Sequence, residues 1–340
     1  MSHALDQLTG SAAVALGALL ACVACAGQPD VVATREVVVT EPLEPEQQDL
    51  TGELVLFDPS ALFDGERYWI VSTGAGMPIR GSDDLRSIEL LGDAVDGLPA
   101  WAADEVPKAT HFWSPDWAYF GGSYHLYYAL AGGGTNQACI GHATAAELGL
   151  VGTWTDDGAP LICTPANSDW HAIDPSVLVD DDGKAWLLIG SAGTGLRLLE
   201  LTATGARTAK EPVIVAARPE GGIIQASVIT KYGEFYYIFS SFDICCKGVD
   251  STRSIRVGRS STVLGPYFDR EGTPLLEGGG SVLLRGATRW KGPGSNDVLY
   301  VDDQTYSFYF AYDADNGGRT SLRLSTLVWD NDGWPRSAGP

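Results

Sequence analysis

Residues 171–188 read as one hairpin. His171-Ala172-Ile173-Asp174-Pro175-Ser176 leads into the apolar run Val177-Leu178-Val179. An acidic turn closes on Gly183, and Ala185-Trp186-Leu187-Leu188 returns. Four further stretches repeat that grammar, starting at Asp58, Asp116, Gln225 and Ser295. Each is a β-branched or aromatic run, a Gly or Asp turn and a second such run, which is the signature of a β-hairpin. More strand-like runs lie between them, such as residues 138–143 and 254–260. After residue 50 no stretch sustains a 3.6-residue apolar period. Units of about 50 to 70 residues with about four strands each are propeller blades. Five units predict an all-β fold, a five-bladed β-propeller. A β-sandwich with accidental similarity is the competing fold, and the even spacing of the starts at 58, 116 and 174 argues against it.

In a propeller the innermost strand of each blade lines a central channel. Equivalent repeat positions therefore converge at one mouth. The expected ring is Asp58, Asp116, Asp174, Gln225 and Ser295. Three acids in a confined ring raise one another's pKa, which is costly if the ring is only structural. Taken singly, each Asp-Pro-Ser is a strand-entry turn whose Asp caps local N–H groups. Taken as a converging set, the acids mark a site.

The two ends of the chain differ in composition. Residues 1–25 have the features of a processing leader. The apolar, small-residue run over 11–24 has the length of a signal h-region and is too short to span a bilayer. Leu19-Leu20-Ala21-Cys22 resembles a bacterial lipobox with Cys22 as the lipidated residue, and Cys25 is a second candidate. Against this, the first ten residues lack Lys and Arg and carry Asp6. Residues 26–50, rich in Pro, Glu and Gln, read as a solvated tether, and residues 51–340 as the propeller. The expectation is an exported, lipid-anchored monomer that meets the membrane only through its anchor. Export implies an oxidising compartment. Cys139 with Cys163 could bridge strands of one blade, while the adjacent Cys245 and Cys246 could form a vicinal disulfide or stay thiols. No Cys or His spacing suggests zinc. The net charge of −21 repels phosphate backbones. That excludes nucleic acid as a partner and leaves neutral ligands open.

Several motifs together resemble the arabinanase-like enzymes of glycoside hydrolase family 43, in their endo-1,5-α-L-arabinanase branch. They are Phe57-Asp58-Pro59-Ser60, Ser82-Asp83-Asp84-Leu85, Phe112-Trp113-Ser114-Pro115-Asp116 and Ala172-Ile173-Asp174-Pro175-Ser176. The block Cys245-Cys246-Lys247-Gly248-Val249-Asp250-Ser251-Thr252, followed by Val257-Gly258-Arg259-Ser260, is the most specific. Gly292-Pro293-Gly294 and Ala311-Tyr312-Asp313 complete the set. The resemblance implies a five-bladed propeller that hydrolyses α-L-arabinofuranosidic bonds of a polysaccharide or oligosaccharide with inversion. Inversion uses two carboxyl groups about 6.5–9.5 Å apart. By position, Asp58 is the general base, and Asp174 orients the general acid and tunes its pKa.

Where the family's Ile-Glu-Ala-Pro-Tyr-Ile frame places the acidic Glu, this chain reads Ile224-Gln225-Ala226-Ser227-Val228-Ile229. An amide has no proton to give at neutral pH, and general acid catalysis is worth about 10²–10⁴-fold. Three histidines of the implied pocket are also replaced, by Phe57, Ser295 and Phe310. The resemblance requires no cofactor for the chemistry. It leaves a central Ca²⁺ open, with Ser295 at the position of the His that helps organise a central ion or water. Trp101, Trp113, Trp117 and Trp170 precede or flank the ring. Of these Trp113 and Trp101 are expected to meet ligand, together with His171, Asp116, Ser191 and Ser295. Trp186 and Trp329 are expected to pack between blades. Glu220, behind Gly221-Gly222, is an alternative proton donor if the entry slips in register. The rival to an enzyme is a non-catalytic, carbohydrate-binding propeller derived from one.

Overall fold

Along the inner strands alternate side chains face opposite ways, and both directions are apolar. Ala185–Ile189 is buried at all five positions. Leu187 and Ile189 pack on Phe120, Tyr127 and Ile140 on one side. Trp186 and Leu188 pack on Ile229 and Ile238 on the other. A strand repeats every two residues, so a sheet apolar on both faces must be sandwiched between two others. That condition holds around the whole molecule and produces a closed ring of sheets.

The computed structural model describes residues 44–191 and 194–340. The expected leader, Cys22, Cys25 and most of the expected tether lie outside the described residues. The described chain forms five sheets taken in sequence order, each antiparallel apart from one short parallel edge pairing in the first. Their innermost strands are Ser60–Phe63, Trp113–Phe120, Ser176–Val179, Ile224–Tyr232 and Trp290–Val301. These are the five blades. Five apolar clusters fill the five gaps between neighbouring blades. The last blade closes on the first through Phe308, Phe310 and Leu324 against Ile70 and Ile88. The sandwich alternative has no place in this arrangement.

Residues 46–54 correct the expected tether boundary. The backbone amide of Gln48 donates to Leu324 O at 2.8 Å, Thr326 N to Glu46 O at 2.9 Å and Leu322 N to Leu54 O at 2.7 Å. Thr51–Gly52 then pairs in parallel with Ser87–Asp93 on the outer edge of blade one. This segment links the last blade to the first, so the folded unit begins before residue 51. Its composition is polar because it lies on the outside. Its backbone groups are nonetheless satisfied by strand edges.

Cys139 and Cys163 form a disulfide between directly paired residues of Ala138–Ala145 and Ile162–Thr164 in blade two. Cys245 and Cys246 are joined as a vicinal disulfide.

Candidate active site

Each blade enters the channel through the same backbone device. Asp58, Ser114, Asp174, Ala226 and Ser295 all adopt left-handed φ values, from 43° to 55°. For residues other than glycine such a conformation costs on the order of 1–3 kcal/mol, and the surrounding structure must impose it. In the three blades with long inner strands, the pairing register slips at this point. It slips between Trp113 and Asp116, between Gln225 and Val228, and between Gly294 and Asp297. Each slip inserts one extra residue into the inner strand, a β-bulge of the kind found beside active sites.

This frame corrects the expected ring. Asp58, Asp174 and Ser295 belong to it. Asp116 does not; the equivalent residue is Ser114. Gln225 does not either, because Ala226 holds that place and Gln225 sits one position ahead. The missed signal was proline, which follows the ring residue in Asp58-Pro59, Ser114-Pro115 and Asp174-Pro175. Aligning the repeats on acids instead placed blade two out of register by two residues.

At the mouth, polar groups run in a chain across four blades. The Thr73 hydroxyl donates to Asp58 Oδ2 at 2.6 Å and accepts from Ser114 N at 2.8 Å. The Ser114 hydroxyl donates to Asp174 Oδ1, and Ala226 N donates to Asp174 Oδ2, both at 2.8 Å. Both oxygens of Asp174 are thus engaged. One of its bonds anchors the peptide immediately after Gln225. Burial, and then the charge of Asp58, push the Asp174 carboxyl up to about 6, while its donors and Arg253 pull the other way. Arg253 is a further member that the sequence did not reveal. It is 2% exposed and donates from Nη1 to Ser295 Oγ at 3.1 Å. Burial lowers its pKa, and Asp58 and Asp174 oppose that shift. Gln225 is half-buried, and among the described residues its side chain makes no hydrogen bond.

A second row lies two residues further along each strand: Ser60, Asp116, Ser176, Val228 and Asp297. Here the polar groups tie blades together. Asp116 accepts from the Ser60 hydroxyl and from Val177 N at 2.6 Å, joining blades one, two and three. Asp297 accepts from Ala61 N at 2.6 Å. Ser176 Oγ accepts from Ile229 N at 3.2 Å. Asp116 and Asp297 are both pushed up by burial, and the charge of Asp297 adds to the shift on Asp116. The two rows line one narrow space of about 40 Å³, enough for a few waters at most.

Two acidic residues at the mouth of a closed five-bladed ring agree with what comparison with known proteins shows. The model of Glycosyl hydrolases family 43 matches residues 52–335. The chain belongs to this family. It is 34% identical over 287 residues to the extracellular endo-alpha-(1->5)-L-arabinanase 1 of Bacillus subtilis, covering 83% of this chain and 87% of that one. It is 33% identical to the extracellular exo-alpha-(1->5)-L-arabinofuranosidase of Cellvibrio japonicus, covering 82% and 85%. Among solved structures, the family 43 endo-arabinanase from Bacillus licheniformis superposes with a TM-score of 0.79 at 35% identity, covering 85% of this chain and 99% of that one. The Cellvibrio cellulosa α-L-arabinanase complexed with arabinohexaose superposes at 0.80 with 32% identity, covering 84% and 96%.

Within this family 43 propeller the other expected ligand contacts divide. Trp113 is half-buried directly before Ser114 and lies against His111, with ring centroids 5.8 Å apart. His171 forms a bridge with the buried Ser191, and its Nε2 is buried with no hydrogen-bond partner among the described residues. Burial lowers the His171 pKa, so the ring stays neutral. Trp101 is a correction. Its ring is buried in the cluster between blades one and two, stacks on Tyr128, and donates from Nε1 to Asp156 at 3.2 Å. No face is left for a sugar. Trp117 is likewise buried against Trp154, and Trp170 lies under Arg197. Trp186 packs between blades and Trp329 stacks on Tyr232, as expected. Glu220 is exposed in a turn beside Gly221. Among the described residues, one group of three His, Cys, Asp or Glu ligand atoms converges, Glu105 with Cys139 and Cys163. Those two sulfurs form the disulfide.

Proposed function

We propose that this family 43 protein is an exported glycosidase that hydrolyses α-L-arabinofuranosyl linkages of arabinan with inversion, and that Gln225 restricts it to leaving groups needing little protonation. The observation that carries the reading is the pair Asp58 and Asp174, held at equivalent strained positions of one channel mouth in a chain whose relatives are named for arabinan. Asp58 takes the proton of the attacking water as the general base. It is oriented by the Thr73 hydroxyl. Asp174 fixes the backbone beside position 225 and so sets where that side chain stands. Inversion needs a second group to protonate the departing oxygen. The Gln225 amide cannot do this, which removes about 10²–10⁴-fold on an unactivated glycosidic bond. An aryl leaving group departs as a stable phenolate and escapes that loss. Export is supported by the leader-like first 25 residues, the extracellular relatives and the cross-strand disulfide. Attachment through Cys22 is tested by radiolabelled palmitate, whose incorporation should vanish in Cys22→Ala.

The wild type and Gln225→Glu should be assayed on linear arabinan and on an aryl α-L-arabinofuranoside. The expected result is measurable aryl glycoside cleavage by the wild type, with arabinan cleavage rising about 10²-fold or more in Gln225→Glu. Arabinan turnover that Gln225→Glu leaves unchanged would place the proton donor elsewhere. If neither variant cleaves either substrate while calorimetry shows arabino-oligosaccharide binding, the propeller is a binding module.

A further inference from the structure

Of the three places where family resemblance implies a histidine, now Phe57, Ser295 and Phe310, the last two touch one side chain and the first packs on Phe310. The guanidinium of Arg253 lies 4.3 Å from the centre of the Phe310 ring. Phe57 packs edge-on against Phe310 with centroids 5.0 Å apart. Ser295 Oγ accepts from Arg253 Nη1. The remaining donors point at Gly292 O, at 3.3 Å from Nε and 3.2 Å from Nη2, and Nη1 also reaches Cys245 Sγ at 3.5 Å. Gly294 clears the space: a Cβ there would come within 2.4 Å of Arg253 Nε. A guanidinium is thus buried beside the channel wall at Ser295. Every hydrogen-bond acceptor it uses is neutral. A buried cation without a carboxylate partner is costly, and the opposite charges available to offset it are Asp58 and Asp174 at the mouth.

We propose that Arg253 is the resident cation of the channel, taking the place of a divalent metal ion: the site neither binds nor requires Ca²⁺, and Arg253 is a positioning residue that supplies the positive charge facing Asp174. The donor set does not suit a metal. Ser295 Oγ, on the implied ion-organising position, already faces a positive charge, and phenylalanine rings offer no ligand atoms at 57 and 310. A divalent ion there would meet a fixed guanidinium in a low-dielectric space, where like charges repel strongly. A delocalised, always-charged guanidinium meets the same electrostatic need without dissociating. The three histidine replacements are therefore one coordinated change that accommodates Arg253.

The test uses the folded chain and does not depend on turnover, so failure of the hydrolytic reading would leave it intact. After dialysis against a chelator, the expected result is less than about 0.1 equivalent of Ca²⁺, Mg²⁺ or Mn²⁺ by elemental analysis on re-addition, and no shift of the melting temperature. A stoichiometric ion with a raised melting temperature would overturn the proposal. In parallel, the carboxyl ¹³C signal of Asp174 is titrated in the wild type, Arg253→Lys and Arg253→Met. Asp174 faces Asp58, Arg253, the Ser114 hydroxyl and Ala226 N. Arg253→Met should move its midpoint upward by about one unit or more, and Arg253→Lys should recover most of that shift. Midpoints unchanged in Arg253→Met, with only a lower melting temperature, would make Arg253 a packing residue and overturn the proposal. Should Arg253→Met fail to fold, Arg253→Gln serves the same comparison.

Discussion

Two rows of residues line the same channel, two positions apart on the same strands, and they use aspartate in opposite ways. In the lower row Asp116 is saturated by donors from the two neighbouring blades, and Asp297 binds the next blade through Ala61 N. In the upper row Asp58 accepts through one oxygen from Thr73, and it is held in a backbone conformation that costs energy. Asp116 and Asp297 connect blades, and Asp174 in the upper row does so too through Ser114 and Ala226; Asp58 is the acid with an oxygen left open among the described residues. Residue type does not distinguish them, and the register of a bulge does. A carboxylate whose lone pairs are filled by amides is a structural bolt. One left partly open beside a water-sized space is available for chemistry.

The largest expected effect separates the rows by activity. On the aryl arabinofuranoside, Asp58→Asn should lose about 10²–10⁴-fold in kcat/KM while its thermal melt stays close to that of the wild type. An activity loss matched by a comparable loss of stability would erase the distinction between rows. The converse substitution is Asp116→Ala, which strands the Ser60 hydroxyl and Val177 N in a buried space. It should lower stability by about 2–5 kcal/mol, read from urea unfolding, with kcat nearly unchanged in the molecules that remain folded. A small stability change with a large kcat change would move Asp116 into the reacting site.

The third prediction concerns pH. Burial and the charge of Asp58 push the Asp174 carboxyl from its ordinary value of 3.8 up to about 6 when folded. The folded state therefore binds the proton more tightly than the unfolded chain. The stability this confers is complete below about pH 4 and is lost as pH rises through about 6. Two units correspond to about 3 kcal/mol. The stability gap between the wild type and Asp174→Asn, measured from pH 4 to pH 7, should change by about that amount, to the disadvantage of the wild type at the higher pH. A gap independent of pH would refute the shift. The smallest effect is on ligand contact. Trp113→Ala should weaken arabino-oligosaccharide binding by about 1 kcal/mol or more, the scale of an aromatic contact. Trp101→Ala should leave binding alone and lower the melting temperature. Reversed results would mean that the buried Trp101 ring becomes accessible to sugar.

Much of the site was legible, unevenly. Asp58 and Asp174 stand out because their Asp-Pro-Ser repeats are locally complete, and two proline-locked copies announce the same entry turn. Ser114 was in view and passed over, since a serine beside an acid carries less apparent chemistry than the acid. Thr73 gives no local signal at all. It lies in a connecting loop and matters only because the first two blades bring it between Asp58 and Ser114. Trp101 misled for a related reason: adjacency to a motif says nothing about which way a ring turns, and here the helix Ala102–Glu105 begins beside it and its ring is buried against Tyr128.

The amino-acid sequence alone determined the number of blades, the hairpin that starts each one, the candidate Cys139–Cys163 bridge and the absence of a proton donor at Gln225. These follow from periodicity, turn chemistry and residue identity, all of which act over a few neighbours. Only the tertiary structure decided which residue of each repeat faces the channel, that residues before 51 close the ring, and that Arg253 is buried against Ser295 and Phe310. Those facts depend on contacts between residues far apart in the chain, such as Ser60 with Asp116 and Arg253 with Ser295. A one-residue bulge shifts such partners without altering the local pattern that a sequence displays.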